Sequence, residues 1–457
     1  MDCLKHLLFL AVCCCKLQTS HAKNVYVFNV DEPKACGSVA NKITVAVNTS
    51  IHEIDARYLS VALGTSRATV DFLGSQKMIN MAAALTPVEL RLGGTPANFM
   101  TYVPAASSHQ TPSSCDTDAD NVGYSADEEF FSITASQWLH FTSFLKKVNW
   151  DLLFDVNNFK STDNGTWDPT NLEQLLNDSS AHGVPIAHFQ LGNGGYDVVD
   201  EICLHHYYID GHGATADQFT SVTNLDNLKT MYEVVAQLTN ATPRPRPVQL
   251  SETASSWAGG TTGLSDAYVA GFMWLDKLGL SAKLKATRIF RQSLVGAAYA
   301  LVTSRFDPNP DYFLSLVFKT LVEGPVFDVT VETKNDKLRL YANCASNKRY
   351  SPGALVVYYL NVADTDAVLS LSQYSDADLD LYKLSPGDED GLKSKYVKLN
   401  GNKLVLTGDQ LPELTAKAHT GDVTVEAKTF GFIVVPLAGV EFCVNYFAKL
   451  DSRSQNK

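Results

Sequence analysis

Glu252 is the first residue in this chain whose setting suggests chemistry. In Leu250-Ser251-Glu252-Thr253 it closes a short β-rich run and precedes a Gly259-Gly260 loop. If that run is a strand of a (β/α)8 barrel, Glu252 lies at the carboxyl face, where such enzymes place catalytic groups. A carboxylate there could attack an electrophile or move a proton. Position alone does not separate it from a solvated loop residue. His205-His206-Tyr207-Tyr208 is the second candidate. On a strand, His205 and Tyr207 share one face and His206 and Tyr208 the other, so the two imidazoles cannot chelate one metal from one side. No metal is expected. The pattern is read as a strand with one face toward a barrel interior, although the tyrosines are equally explained as core aromatics. Arg91-Leu92-Gly93-Gly94-Thr95 ends a third run; its glycines permit close backbone approach and Thr95 offers a hydroxyl, a common turn. P-loop, GxSxG, HExxH and paired CxxC signatures are absent from the sequence.

These residues need a scaffold that gathers strand ends. From about Tyr58 to Phe318 the chain alternates short β-rich runs with longer amphipathic stretches, as parallel strands with crossover helices do. Strands are predicted at 59–63, 88–92, 151–155, 186–191, 202–208, 248–251 and 287–290, and helices at 134–146, 171–176, 225–238 and 267–280. Seven strands fall one short of a barrel of eight. Mid-strand spacings are 29 residues or more except between the fourth and fifth runs, where the spacing is 15. Only eight residues separate Gly192 from Glu201, and a parallel crossover takes a dozen or more. Either one of those runs is not a strand, or a helix–strand–helix unit of on the order of 45–60 residues is absent.

After Val326 the pattern changes to strands separated by Gly, Asp and Asn turns, an antiparallel β-sandwich. The expected division is a signal peptide at 1–22, an N-terminal segment at 23–42 pairing with the sandwich through Asn24–Phe28, a barrel at 43–325, a sandwich at 326–445 and a tail at 446–457. Lys5, the apolar run Leu7–Cys15 and Ser20-His21-Ala22 make up the secretion signal. The product is expected to be secreted, with lysosomal uptake open to it and no transmembrane segment. The chain has 457 residues, 45% of them apolar, and a formal charge of −12. That charge argues against a nucleic-acid partner, which would need a basic face, and weakens electrostatic capture of a heavily sulfated polymer. Five cysteines follow the signal, an odd number, and Cys203 in its apolar run is expected to be a buried free thiol. Sequons at Asn48, Asn164, Asn177 and Asn240 suit a secreted glycoprotein.

Taken together, the motifs match something specific. Arg91-Leu-Gly-Gly-Thr95, Gln190-Leu-Gly-Asn193, His205-His-Tyr-Tyr208, Leu250-Ser-Glu-Thr253, the twelve residues Gly271–Ala282, Phe306–Tyr312 and Asp409–Glu413 resemble the heparanase and leech-type hyaluronidase family, the endo-β-glucuronidases of glycoside hydrolase family 79. The resemblance runs from about Ala40 to Cys443. It implies a glycosaminoglycan substrate, no cofactor, and a retaining double displacement with two carboxyls about 5–5.5 Å apart. It places the nucleophile on Glu252, with Tyr207 placed to hydrogen-bond it; Tyr207 and His205 are both expected among the substrate-binding residues. Asn193 falls on the position that holds the sugar 2-hydroxyl, and Thr95, Gly259, Gly260, Gln292 and Tyr299 fall on sugar-binding positions. It also implies a Cys344–Cys443 disulfide and, more weakly, Cys36–Cys115.

One departure bears on activity. The family reads Leu-Gly-Asn-Glu-Pro at the fourth strand, and that Glu is the acid/base; here Asn193 is followed by Gly194-Gly195-Tyr196. The resemblance resumes at the approach to the sixth strand, so it and the spacing locate the same deletion. Asp197, Asp200 and Glu201 precede the next strand and should lie at the opposite barrel end. His212 stands where heparan-sulfate cleavers carry a basic residue, and Gly64 where an acid is usual. Three readings follow: an endo-β-glucuronidase with hyaluronan favoured over heparan sulfate, a catalytically inactive isoform that binds glycan or a partner, or an incomplete gene sequence of an active enzyme.

Overall fold

The computed structural model describes residues 40–69, 71–104, 131–184, 186–191, 200–333 and 335–455. Seven strands pair in parallel: β1 (Leu59–Gly64), β2 (Glu89–Gly93), β3 (Asp151–Val156), β4 (His188–Leu191), β5 (Ile202–Ile209), β6 (Val248–Ser256) and β7 (Ile289–Arg291). All seven expected strands are present. Their order across the sheet is β4-β3-β2-β1-β7-β6-β5. β1, β2 and β3 are buried almost throughout, because helices cover one face and the sheet's own interior the other. The sheet curls strongly: Arg91 on β2 reaches Glu252 on β6 at 3.1 Å although β1 and β7 lie between their strands. β4 and β5, consecutive in the chain, end the sheet on opposite sides and are not paired among the described residues. The result is a parallel half-barrel, open where the spacing placed the missing unit.

Six helices matter to this half: α1 (Gln76–Ala84), α2 (Ala135–Val148), α3 (Thr170–Ala181), α4 (Val222–Asn240), α5 (Ala270–Lys283) and α6 (Pro310–Leu321). α2 starts at a capping box, in which Thr134 and Gln137 satisfy each other's end-of-helix amides. α5 contains the twelve-residue block Gly271–Ala282 and is buried nearly all round, because it separates the half-barrel from the second sheet. Its glycines make that possible. A Cβ at Gly271 would stand 2.4 Å from the Phe430 ring, and one at Gly279 2.3 Å from Tyr341. Its polar residues bind both neighbours. Asp276 accepts from the Tyr341 hydroxyl at 2.5 Å and from Arg339, while Lys277 donates to the Ala254 carbonyl at 2.7 Å and to that of His206.

The second half is one eleven-stranded, largely antiparallel sheet, where two packed sheets were expected. It folds over so that residues from both ends, among them Ile43, Leu369, Val423, Leu381 and Ile433, share one core. The strand Asn41–Ile54 belongs to this sheet, pairing antiparallel with Val322–Val331 and parallel with Ala367–Leu371. The boundaries set at 42/43 and 325/326 therefore both fall inside strands of the sheet. A further boundary is corrected at the other end. Residues 446–455 are not a tail but part of helix α7 (Glu441–Gln455), which buries Cys443, Tyr446 and Phe447. Cys443 is bonded to Cys344 across 99 residues of sequence, the expected disulfide. Cys203 is a free, partly buried thiol. The signal segment, Asn24–Phe28, Cys36 and Cys115 lie outside the described residues. No helix among the described residues is long and apolar enough to cross a membrane.

Candidate active site

Strand alternation brings the polar residues of five strands to the inner face of the half-barrel. Glu252, the middle residue of β6 and not the last of its run as expected, accepts a hydrogen bond from the Tyr207 hydroxyl at 2.6 Å and one from Arg91 Nη1 at 3.1 Å. His205 Nδ1 is 4.0 Å from the same carboxylate. The neighbours follow from register: His205 on β5 stands opposite Glu252 on β6, and Tyr207 lies two residues further along the same face. Burial pulls the Glu252 carboxyl up, but the Arg91 charge and the Tyr207 hydroxyl outweigh it, so the group sits below the usual range and is ionised at neutral pH. Burial pushes His205 down to about 4, which makes it a neutral neighbour there. His206 and Tyr208 face the other way; Lys277 Nζ lies 4.3 Å over the Tyr208 ring.

Arg91 is fully buried and carries more than Glu252. Its Nη2 donates to Asp155 at 3.2 Å and its Nε to Gln190 Oε1 at 2.9 Å, while Gln190 Nε2 reaches Asp155 at 3.4 Å. Asp155 has no exposed surface. Burial, opposed by Arg91 and the Gly94 amide and aided by the nearby Glu252 charge, raises its carboxyl to about 7. Gly93 is required beside it, since a Cβ there would come within 2.8 Å of the Asp155 oxygen. Asp155 and Gln190 are members of the site that sequence reasoning missed. Their signal was available: each is a polar residue near the end of its strand, next to an apolar one, and each is buried.

The remaining expected residues gather on the loops after these strands. Thr95 opens a short turn after Gly94, whose φ of 89° suits glycine. Gly259 and Gly260 also have positive φ; the Gly259 carbonyl accepts from Ala298 N–H at 2.8 Å, and a Cβ at Gly260 would lie 2.8 Å from the Tyr299 nitrogen. Tyr299 is thereby held with its ring centroid 6.1 Å from that of Tyr207. Gln292 N–H donates to the Thr253 carbonyl at 2.9 Å. Gln292 Oε1 and His205 Nε2 are buried without a protein partner. Asn193 and Asp197 lie outside the described residues. Asp200 pairs with Arg246 at 3.8 Å and Glu201 accepts from Thr287 at 2.7 Å. Both partners precede their strands, so neither acid stands at the Glu252 end of the sheet. His212 is exposed, bonded to Asp210 and edge-on to Trp257. The sequon residues Asn48, Asn164, Asn177 and Asn240 are all exposed.

Residues 58–199 match the model for the N-terminal domain of glycosyl hydrolase family 79. The chain is 30% identical to heparanase of Rattus norvegicus, over 86% of its own length and 92% of that protein's. It is 39% identical to hyaluronoglucuronidase of Hirudo nipponia over 262 residues, 55% of this chain and 53% of that protein. Among solved structures, a 4-O-α-L-rhamnosyl-β-D-glucuronidase from Fusarium oxysporum 12S superposes with a TM-score of 0.61 at 14% identity, covering 86% of this chain and 99% of that one.

Proposed function

The chain belongs to glycosyl hydrolase family 79, and from that premise we propose that Glu252 is the nucleophile of a retaining double displacement on a glucuronic-acid-containing glycosaminoglycan. The observation that carries this reading is the setting of Glu252: a carboxylate kept ionised by Arg91 and Tyr207 on the inner face of the half-barrel. Glu252 attacks the anomeric carbon, the glycosidic C–O bond breaks, and the ester formed is later opened by water. Tyr207 and Arg91 steady the carboxylate in both steps. Asn193, Thr95, Gly259, Gly260, Gln292 and Tyr299 hold the sugar; the unpaired Gln292 Oε1 is available to one of its hydroxyls.

The scaffold is a (β/α)8 barrel from which the fifth strand and its flanking helices are absent, taking the acid/base Glu with them. Support comes from the sheet order, open between β4 and β5. The alignment with the rat protein adds to it. That alignment runs over 495 positions but includes 86% of 457 residues, so on the order of 100 positions have no residue here. Without the acid, a natural leaving sugar departs as an alkoxide, and the chain is a poor hydrolase of polymer. The net charge of −12 and the exposed His212 at a position basic in heparan-sulfate cleavers favour hyaluronan over heparan sulfate. The protein is secreted and glycosylated at its sequons. A glycan-binding, non-hydrolytic role is the second reading, favoured by the same gap in the sheet.

A mechanism-based label tests the proposal. 2-Deoxy-2-fluoro-β-D-glucuronosyl fluoride has a leaving group that needs no proton, so it should form a stable ester on the peptide carrying Glu252. Glu252→Gln should not label. Absence of label on folded protein, or label on another carboxylate, refutes the assignment.

A further inference from the structure

β6 carries one residue more than either of its neighbours. Cys203 on β5 stands opposite Gln249 and His205 opposite Glu252, so two steps along β5 match three along β6. On the other side Ile289 of β7 stands opposite Leu250 and Arg291 opposite Thr253, again two steps against three. The extra residue therefore lies within Leu250–Glu252, a β-bulge at the candidate nucleophile. Its effect is on aim. Side chains alternate along a strand, so in an unbulged β6 Ser251 would stand opposite His205 and Glu252 opposite His206. Glu252 would then share the face of His206 and Tyr208, away from Arg91 and the Tyr207 hydroxyl. With the bulge, Gln249 and Glu252 both face inward although three residues apart. Gln249 Nε2 donates to Cys203 Sγ at 3.4 Å, and Glu252 accepts from Tyr207 at 2.6 Å. Bulges in parallel sheets are rare. Behind this one lies a buried ammonium.

We propose that Lys277 of α5 is a positioning residue for Glu252, holding the bulge so that the carboxylate faces the interior of the half-barrel. Lys277 is fully buried. Its three N–H donors meet three acceptors: the Thr253 hydroxyl at 2.5 Å, the Ala254 carbonyl at 2.7 Å and the His206 carbonyl at 3.2 Å. None of the three is a carboxylate. Thr253 and Ala254 are the two residues after Glu252, and His206 separates its two β5 neighbours, His205 and Tyr207. The Thr253 hydroxyl donates in turn to the His206 carbonyl, which closes a tie across the two strands. A single group thus fixes β6 against β5 one step past the bulge, where a slip of register would start. The ammonium is itself anchored, because Asp276 ties α5 to Arg339 and Trp274 Nε1 ties it to Ser315 of α6 at 2.9 Å. The block Gly271–Ala282 therefore has a task beyond packing. A second lysine of the same kind serves as a comparison. Lys319 of α6, likewise buried, donates to the carbonyls of Ala56 at 2.7 Å, Leu59 at 3.0 Å and Pro87. These lie at the amino ends of β1 and β2, and none adjoins a residue of the candidate site. The inference deepens the proposed chemistry and rests on Glu252 as its nucleophile.

Lys277→Met and Lys319→Met in the full chain, compared by two readouts, test it. The first is labelling by 2-deoxy-2-fluoro-β-D-glucuronosyl fluoride across pH, with rates taken per folded molecule. Lys277→Met should lower the limiting rate roughly tenfold or more and move its acidic limb to higher pH, as Glu252 loses Tyr207 and Arg91. Lys319→Met loses as many hydrogen bonds and should leave rate and limb unchanged. The second readout is a crystal structure of Lys277→Met, which should show the Glu252 carboxylate withdrawn from the Tyr207 hydroxyl. If Lys277→Met does not fold, Thr253→Val replaces it in both measurements. That variant removes one acceptor and the tie to His206 while keeping the side chain's shape, and its changes should run in the same direction. A Glu252 still bonded to Tyr207 overturns the proposal. So does a labelling profile equal to that of the wild type, or the same change produced by Lys319→Met. A wild-type chain that takes no label sinks the nucleophile assignment alone, and the crystal readout still decides the placement.

Discussion

Asp155→Asn should make the protein more stable at neutral and alkaline pH and leave it nearly unchanged in acid. Arg91 is one buried cation facing two carboxyls, at 3.1 Å from Glu252 and 3.2 Å from Asp155. One positive charge holds one negative charge well in a dry interior; the second carboxyl is better off keeping its proton. The structure assigns that role to Asp155, raised from 3.8 to about 7, while Glu252 is lowered. An acid whose folded pKa lies above its unfolded value stabilises fully below the unfolded value, and that stability is lost as pH rises through the folded one. The span from 3.8 to about 7 corresponds to about 4 kcal/mol, lost between about pH 4 and pH 7. Asparagine mimics the protonated carboxyl, so the variant lacks this loss. Urea unfolding followed by tryptophan fluorescence at pH 4.5, 6 and 8 should show the two proteins diverging as pH rises, by a few kcal/mol at pH 8. Parallel stability curves would refute the reasoning. Marked destabilisation of the variant at pH 4.5 would too, because it would mean that Arg91 needs the Asp155 charge there.

Tyr207→Phe removes a hydrogen bond to the Glu252 carboxylate; the acidic limb of the fluoroglucuronide labelling rate should move to higher pH, and no movement would show that the hydroxyl does not tune the nucleophile. Hydrolysis of 2,4-dinitrophenyl β-glucuronide, whose leaving group needs no acid, should exceed that of hyaluronan by about 10²–10⁴-fold more than in an intact relative, with azide accelerating turnover; comparable ratios would indicate that a general acid is present. Cys344→Ala should lower stability by about 4–5 kcal/mol in the chain-entropy account, given a 99-residue separation, as read by denaturant midpoint; a loss under about 1 kcal/mol would place the constraint elsewhere.

The parallel half was legible because β1, β2 and β3 are buried on nearly every residue and read as largely apolar runs, while the less apolar β4, β5 and β6 still stood out as short β-rich runs between amphipathic stretches. Short spacing between two of them was enough to locate the opening between β4 and β5. The site was legible only in part. Glu252, His205 and Tyr207 follow from strand alternation, but Asp155 and Gln190 lie on two further strands, β3 and β4, and meet Arg91 through the packing of the curled sheet. The long strand Asn41–Ile54 escaped notice for another reason: beyond Ile43, Val45 and Ile54 its side chains are largely solvated, so its pairing rests on backbone bonds with Val322–Val331. Residues from 446 on read as a tail because the end of α7, 451–455, is polar, although Tyr446 and Phe447 are buried.

Helix α5 gives the molecule a property neither sheet has alone. Each sheet uses the helix as part of its own core, and glycines at 271 and 279 let the second sheet approach with no intervening layer. Asp276 is neutralised by Arg339 on one side while Lys277 caps carbonyls on the other. Unfolding either sheet strips α5 of half its burial and strands a charge. The two halves should therefore melt as a single cooperative transition, since neither keeps its own core once α5 is lost.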